Sequence, residues 1–272
     1  MTLHTTRSLL FVPGNRPERH AKAGSAGADA VCIDLEDAVP PAERPAARDA
    51  VLRFLRAQAQ GHAYGVRISA LSRADGLRDL LALGEAAAAP AFVMLAKTEH
   101  AAQIDIVAEQ LPGVPLIALI ETARGLQAAS GIAAAHSQLQ ALMLGGVDLA
   151  ADLGCSFTWD SLLHARCTLV AAAAAERLAC IDVPWLDVTD ADGARDEARR
   201  AADLGFTGKA LIHPAQVAPV HAGLMPGAQA LAQARRVVAA RRSDDAAVLL
   251  DGVLIDRPVV IAAQRLLRRA GE

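Results

Sequence analysis

The chain has 272 residues, 53% of them hydrophobic and 21% charged, with a formal net charge of −3. That composition excludes a disordered polymer and allows one large domain or two small ones. The weak net charge and the 3% aromatic content also argue against a nucleic-acid partner, which wants a basic face or stacking platforms.

Short apolar runs alternate with helical text along the chain. A strand is expected over 8–12 and a helix over 17–24. A second strand over 30–34 leads to a helix over 43–57, and a third over 64–68 to a helix over 76–86. A fourth strand over 91–95 precedes a helix over 101–110. Strands five and six are the runs 115–120 and 139–144, and long helical text covers 161–178. A seventh strand over 180–184, a helix over 190–204 and an eighth strand over 208–213 complete the series. Strands that alternate with helices pair in parallel through right-handed crossovers. Eight such units suit a closed (β/α)8 TIM barrel of the α/β class. An open doubly wound sheet is the runner-up, but Val12-Pro-Gly-Asn-Arg16 is not the glycine-rich turn that such a sheet usually carries.

The barrel is expected to occupy 1–222. A C-terminal helical extension over 223–272 would hold helices over 228–242 and 258–269, separated by a break at Ser243-Asp-Asp245. This tail exceeds what a barrel needs, so it packs on the barrel or on a neighbouring subunit. The four cysteines, Cys32, Cys155, Cys167 and Cys180, form no C-x-x-C pair, so no zinc or redox motif is expected. The first residues lack a signal-peptide apolar region, and no apolar run is long enough for a membrane span. A cytoplasmic setting and no membrane partner are the expectation.

In a barrel of this type the chemistry sits at the carboxyl ends of the strands. Asp34, Glu36 and Asp37 follow strand two, Arg67 closes strand three, Lys97 follows strand four, Glu121 and Arg124 follow strand five, and Asp148 follows strand six. Lys209 and His213 belong to strand eight. A carboxylate at the end of a buried strand is costly to desolvate without a partner. Glu121 and Asp148, on neighbouring strands, suit a hard cation such as Mg²⁺, which takes one or two carboxylates and keeps room for substrate oxygens. Alternatively, Glu121 caps the following helix or pairs with Arg124. Arg67 can clamp a carboxylate bidentately or form an internal ion pair with Asp34, Glu36 or Asp37. Asp37 can equally cap the segment ahead of Pro40-Pro41. Arg16, Arg19, His20 and Lys22 could meet phosphates, or be a solvated first turn. His213 reads as a structural histidine, and the serines lack a nucleophile-elbow context.

These residues fall in motifs. Arg7-Ser-Leu-Leu-Phe-Val-Pro-Gly14, Ile33-Asp-Leu-Glu-Asp-Ala-Val39, Val66-Arg67, Lys97-Thr98-Glu99, Ile120-Glu-Thr-Ala-Arg-Gly125, Gly146-Val-Asp148, Gly208-Lys-Ala-Leu-Ile-His-Pro214 and Leu249-Leu-Asp-Gly-Val-Leu-Ile-Asp-Arg-Pro258 resemble the citrate lyase beta-subunit-like family of the HpcH/HpaI aldolase group. The resemblance spans nearly the whole chain. It implies a (β/α)8 barrel, Mg²⁺, and reversible carbon–carbon cleavage of a 3-hydroxyacyl thioester. The substrate would be a citramalyl, citryl or malyl thioester, the products acetyl-CoA and an oxo acid. It further implies Glu121 and Asp148 as metal ligands, Arg67 as substrate-binding and catalytic, and Arg16 and Lys22 as coenzyme A cations. Lys97 stands with the substrate-binding set. A trimer or hexamer is implied, in which Asp256 reaches a neighbouring subunit's site. Asp256 is then the first candidate for acid/base work, with Asp37 or Glu36 second. The resemblance favours a free-standing lyase for citramalyl-CoA or a similar ester. The alternatives are a true citrate lyase beta subunit acting on a carrier-bound citryl thioester, or a metal-dependent aldolase on free oxo acids.

Overall fold

The computed structural model describes residues 3–58, 63–86, 89–240 and 248–272. Eight parallel strands close on themselves: β1 (Ser8–Pro13), β2 (Ala30–Asp34), β3 (Tyr64–Ile68), β4 (Val93–Leu95), β5 (Leu116–Ile120), β6 (Leu139–Leu144), β7 (Ala179–Asp182) and β8 (Gly208–Leu211). Pairing of Ser8 with Lys209 and of Leu10 with Leu211 seals the ring, so the barrel holds and the open sheet does not. Every residue of β2 and β5 is buried. Such strands lie between two apolar layers, which is why they read as continuous apolar runs rather than alternating ones.

The alternation survives in where each side chain goes. Leu9, Cys32, Met94, Ile117, Leu119, Met143, Ile181 and Ala210 fill the barrel interior, with Leu3 among them. Their sequence neighbours Leu10, Ile33, Val93, Ala118, Leu142, Cys180 and Leu211 face the helices. Phe92 is fully buried in the interior. It fits because Gly65 has no side chain: a Cβ there would stand 2.2 Å from the Phe92 ring.

The helical layer is α1 (Pro17–Gly24), α2 (Arg44–Ala57), α3 (Ala74–Glu85), α4 (Ala101–Gln110), α5 (Ala123–Gln127), α6 (Ala129–Ala133), α7 (Gly146–Leu153), α8 (Leu163–Ala175), α9 (Ala191–Leu204) and α10 (Val217–Leu224). The short helices α5 to α7 and the last, α10, go beyond the expected set. Lys209 does not join the mouth residues expected with it. Its neighbour Ala210 points into the barrel, so Lys209 points outward, where its Nζ donates to Asp182 at 2.9 Å and Glu197 at 2.7 Å. It is no part of the mouth.

The tail comprises α11 (Ala228–Ala240), a hairpin of β9 (Val248–Leu250) and β10 (Val253–Ile255), and α12 (Arg257–Arg269). It is therefore not purely helical. The hairpin turns at Asp251-Gly252, both at positive φ of 52° and 79°, the conformation that an Asp-Gly pair favours. Ala234, Val237, Ile255, Val260 and Ala263 form a small core of their own. The expected break at Ser243-Asp-Asp245 lies outside the described residues. Among the described residues no helix is long and apolar enough to cross a membrane.

Candidate active site at the barrel mouth

Inward-facing parity carries Asp34, Arg67 and Glu121 to the carboxyl ends of β2, β3 and β5. Asp34 and Arg67 are register partners. Arg67 Nε donates to Asp34 Oδ1 at 2.7 Å and Nη2 to Oδ2 at 2.6 Å, a bidentate pair. Nη1 lies 3.3 Å from Glu36 Oε2, and the guanidinium sits over the Phe11 ring at 5.1 Å. Asp34 in turn accepts the backbone N–H groups of Glu36 at 2.9 Å and Ala38 at 3.0 Å, so the strand end and the loop lock each other. The internal ion pair is thus realised. Yet a guanidinium carries five N–H donors, and two bonds to Asp34 leave donors for a substrate. Burial works against the charge of Arg67, but Asp34, Glu36 and Glu121 outweigh it and raise its pKa.

Glu121 is buried. Neither alternative use of it occurs. Thr122 caps α5 by accepting from Gly125 N, Asp152 accepts from Ala123 N at 2.7 Å, and Arg124 leans towards Glu99. Instead Glu121 Oε1 accepts the backbone N–H of Lys97 at 2.8 Å. Lys97 takes φ of 49°, an uncommon conformation for a residue with a side chain. Its Nζ is a hub: Glu36 Oε1 at 2.6 Å, Asp37 Oδ2 at 3.5 Å, Glu121 Oε1 at 3.7 Å and Asp148 Oδ2 at 3.8 Å. Burial drives the pKa of Glu121 up to about 8; Lys97 and Arg67 pull it down, while Glu36 and Asp148 push it further up. Burial likewise raises Glu36 despite Arg67 and Lys97. Asp37 is half-exposed; burial opposes its charge, but Lys97 and Arg67 prevail and hold its pKa low.

Asp148 lies in the first turn of α7 with a half-exposed carboxylate. Gly145 makes its approach possible. A Cβ on Gly145 would fall 2.4 Å from Glu121 Cβ and 2.6 Å from Glu121 Oε2. Arg67, Glu121 and Asp148 line a cavity of about 220 Å³, with Phe11, Pro184 and Ile212 as apolar wall. Among the described residues no group of three or more His, Cys, Asp and Glu gathers as a metal cage. The carboxylate pair fits Mg²⁺ nonetheless, because that ion needs only one or two protein carboxylates and keeps waters or substrate oxygens. The raised pKa of buried Glu121, beside a second carboxylate, marks a place where added positive charge is favoured.

The other expected residues are not brought here. Arg16 and Lys22 are exposed, Arg16 in the loop that leaves β1 and Lys22 further along α1. His20 is buried, with Nε2 against Pro13 O at 3.1 Å and its ring edge-on to Phe54, and burial lowers its pKa. His213 Nδ1 accepts from Ala215 N, a capping role. Asp256 caps α12, accepting from Val259 N at 3.2 Å, and it does not line the mouth cavity.

The chain matches the model of the HpcH/HpaI aldolase/citrate lyase family over residues 7–214. It belongs to that family. Among family members, a citrate lyase subunit beta-like protein of Mycobacterium tuberculosis is 43% identical, covering 97% of this chain and 95% of the relative. A (3S)-malyl-CoA thioesterase of Cereibacter sphaeroides is 34% identical, covering 98% and 95%. The crystal structure of the protein CitE from Mycobacterium tuberculosis, in complex with magnesium, acetoacetate and coenzyme A, superposes with a TM-score of 0.87 at 41% identity, covering 99% of this chain and 100% of that one.

Proposed function

We propose that this chain is a Mg²⁺-dependent carbon–carbon lyase. Its substrate is a 3-hydroxyacyl-CoA thioester of the citramalyl, citryl or malyl type, and its products are acetyl-CoA and an oxo acid. The observation that carries this reading is the mouth: buried Glu121 and half-exposed Asp148 line one small cavity with Arg67. The relative crystallised with magnesium, acetoacetate and coenzyme A supports it.

Glu121 and Asp148 would hold the ion, which when bound supplies a Lewis acid and a template for the oxo-acid carboxylate and its adjoining oxygen. Arg67, fixed by Asp34, points its remaining donors at the oxygen that gains charge, the enolate or the alkoxide. Lys97 keeps Glu36, Asp37, Glu121 and Asp148 from repelling one another. A proton must leave the hydroxyl during cleavage and reach the acetyl methylene afterwards. Asp256 of a neighbouring subunit is the first candidate, with Asp37 or Glu36 second. Arg16 and Lys22, exposed and free of ion pairs among the described residues, would meet the coenzyme A phosphates.

We also infer a cytoplasmic homotrimer or hexamer whose barrel (1–222) and tail (223–272) are distinct units. Four free cysteines suit a reducing compartment. Leu249, Val253 and Leu254 leave an apolar hairpin face exposed, which suits contact with another subunit.

The test is a panel of citramalyl-, malyl- and citryl-CoA with EDTA and with added Mg²⁺. Acetyl-CoA and oxo-acid release that EDTA abolishes and Mg²⁺ restores is expected; no cleavage by folded protein sinks the lyase assignment. Hydrolysis is the second reading, favoured by the thioesterase relative. It would release free coenzyme A and leave the hydroxy acid intact, so product analysis separates the two.

A further inference from the structure

Helices α2 and α3 carry two ion pairs at matching spacing. Arg44 and Arg48 lie four residues apart on α2, and Asp75 and Asp79 four apart on α3. Arg44 Nη1 donates to Asp75 Oδ2 at 3.2 Å, and Arg48 Nε to Asp79 Oδ1 at 2.6 Å. Residues four apart share one helix face, so the pairs form two rungs between the helices. Each rung also grips a loop that serves the mouth. Asp79 Oδ2 accepts from Ser69 N at 3.0 Å, just past Arg67, and Ser69 Oγ donates to Leu35 O at 3.2 Å. Arg44 reaches the other loop: Nη2 donates to Glu36 O and Nε to Val39 O, both at 3.3 Å.

That loop, 35–39, is held on two sides. On the barrel side, Asp34 accepts the N–H groups of Glu36 and Ala38. On the helix side, Arg44 holds the Glu36 and Val39 carbonyls, and its side chain is only 12% exposed. The loop matters because the Glu36 carboxylate bridges two cations of the mouth, Lys97 Nζ at 2.6 Å and Arg67 Nη1 at 3.3 Å. Glu36 is buried, and its Oε2 makes no hydrogen bond among the described residues. Its seat therefore depends on the backbone that carries it.

We propose that Arg44 is a positioning residue for the mouth. It lines no part of the mouth cavity. By spanning Asp75 and two loop carbonyls, its guanidinium fixes loop 35–39 against α3 and so sets Glu36 between Lys97 and Arg67. A guanidinium carries its donors in one rigid fork, which suits several acceptors at once; an ammonium on a flexible stem does not. The proposal rests on the lyase reading, which says what the loop is held for.

Arg44→Ala should lower kcat for the thioester about tenfold or more, while Mg²⁺ affinity by calorimetry stays within a few-fold. Deuterium uptake over 35–40 should quicken in that variant, and uptake over 116–121, which carries Glu121, should not. Guanidinium ion at a sub-denaturing concentration should restore slow uptake and part of kcat; methylammonium should not. Arg44→Lys keeps a charge beside Asp75, so its unfolding curve should match the parent's while kcat stays low. A merely structural ion pair would keep both. Parental uptake over 35–40 in Arg44→Ala, full kcat in Arg44→Lys, or an equal loss of kcat and Mg²⁺ affinity overturns the proposal. If the parent protein cleaves no thioester, the lyase reading falls, and uptake over 35–40 still decides whether Arg44 holds the loop.

Discussion

Arg67 combines a structural ion pair with a place on the cavity wall that suits the proposed chemical role. Its bidentate pair with Asp34 fixes the guanidinium plane and leaves other donors facing the cavity. Lysine at this position would keep the charge and lose the fork. Arg67→Lys should therefore cut kcat/KM by about 10²-fold, the effect of losing one preorganised oxyanion donor, while Mg²⁺ affinity by calorimetry stays within a few-fold. Gly145 would act on the proposed metal site through Glu121, by leaving room for it. Its φ of −95° suits any residue, so Gly145→Ala tests crowding alone: the new Cβ would press on Glu121 from 2.4 Å. The Mg²⁺ concentration for half-activation should rise roughly 10-fold or more, as when support around a ligand is disturbed. Glu121 and Asp148 were legible in sequence because a carboxylate after a buried run is conspicuous. Gly145 was not, since its contribution is an absent side chain. Lys97 was visible only as one cation among several; its place between four carboxylates needed the backbone turn at φ of 49°.

Among the elements, the eight strands were legible because burial on both faces forces continuous apolar runs. Helices α5, α6 and α7 were hidden. The first two have five residues each, too few for a periodic pattern to build. The third opens on Gly145-Gly146, which reads as a turn. The hairpin of β9 and β10 carries a plain signal, Asp251-Gly252 between apolar residues, for which the expectation of a helical extension has no element. Residue type alone groups Lys209 with the mouth, but strand parity with inward-facing Ala210 turns it outward. Its real setting joins four elements, β7, β8, α8 and α9, through Asp182, Arg166 and Glu197, with Lys209 and Asp182 wholly buried. Lys209→Met would leave wholly buried Asp182 and partly exposed Glu197 sharing the Arg166 guanidinium. Removing one member of a buried ionic group costs about 3–5 kcal/mol, so the urea midpoint should fall accordingly, with the change read from equilibrium unfolding.

Across the whole molecule, the barrel brings together the two carboxylates proposed as metal ligands and an arginine but leaves the first acid/base candidate elsewhere. Asp256 caps α12 on the separate tail core. If a second copy's tail completes the mouth, two defects on different chains should complement. Asp256→Asn keeps a capping side chain, because asparagine is as good an N-cap as aspartate; its stability should match the parent while turnover drops about 10²-fold or more. Glu121→Gln should be inactive through the metal site. In oligomers assembled from both variants by co-expression, some mouths pair an intact Glu121 on one chain with an intact Asp256 on its neighbour. Turnover should then rise well above that of either parent variant, an outcome open only to a site shared across a subunit boundary. Mixed oligomers no more active than the better single variant would confine the chemistry to one chain and pass the proton work to Asp37 or Glu36, which already stand at the mouth beside Lys97.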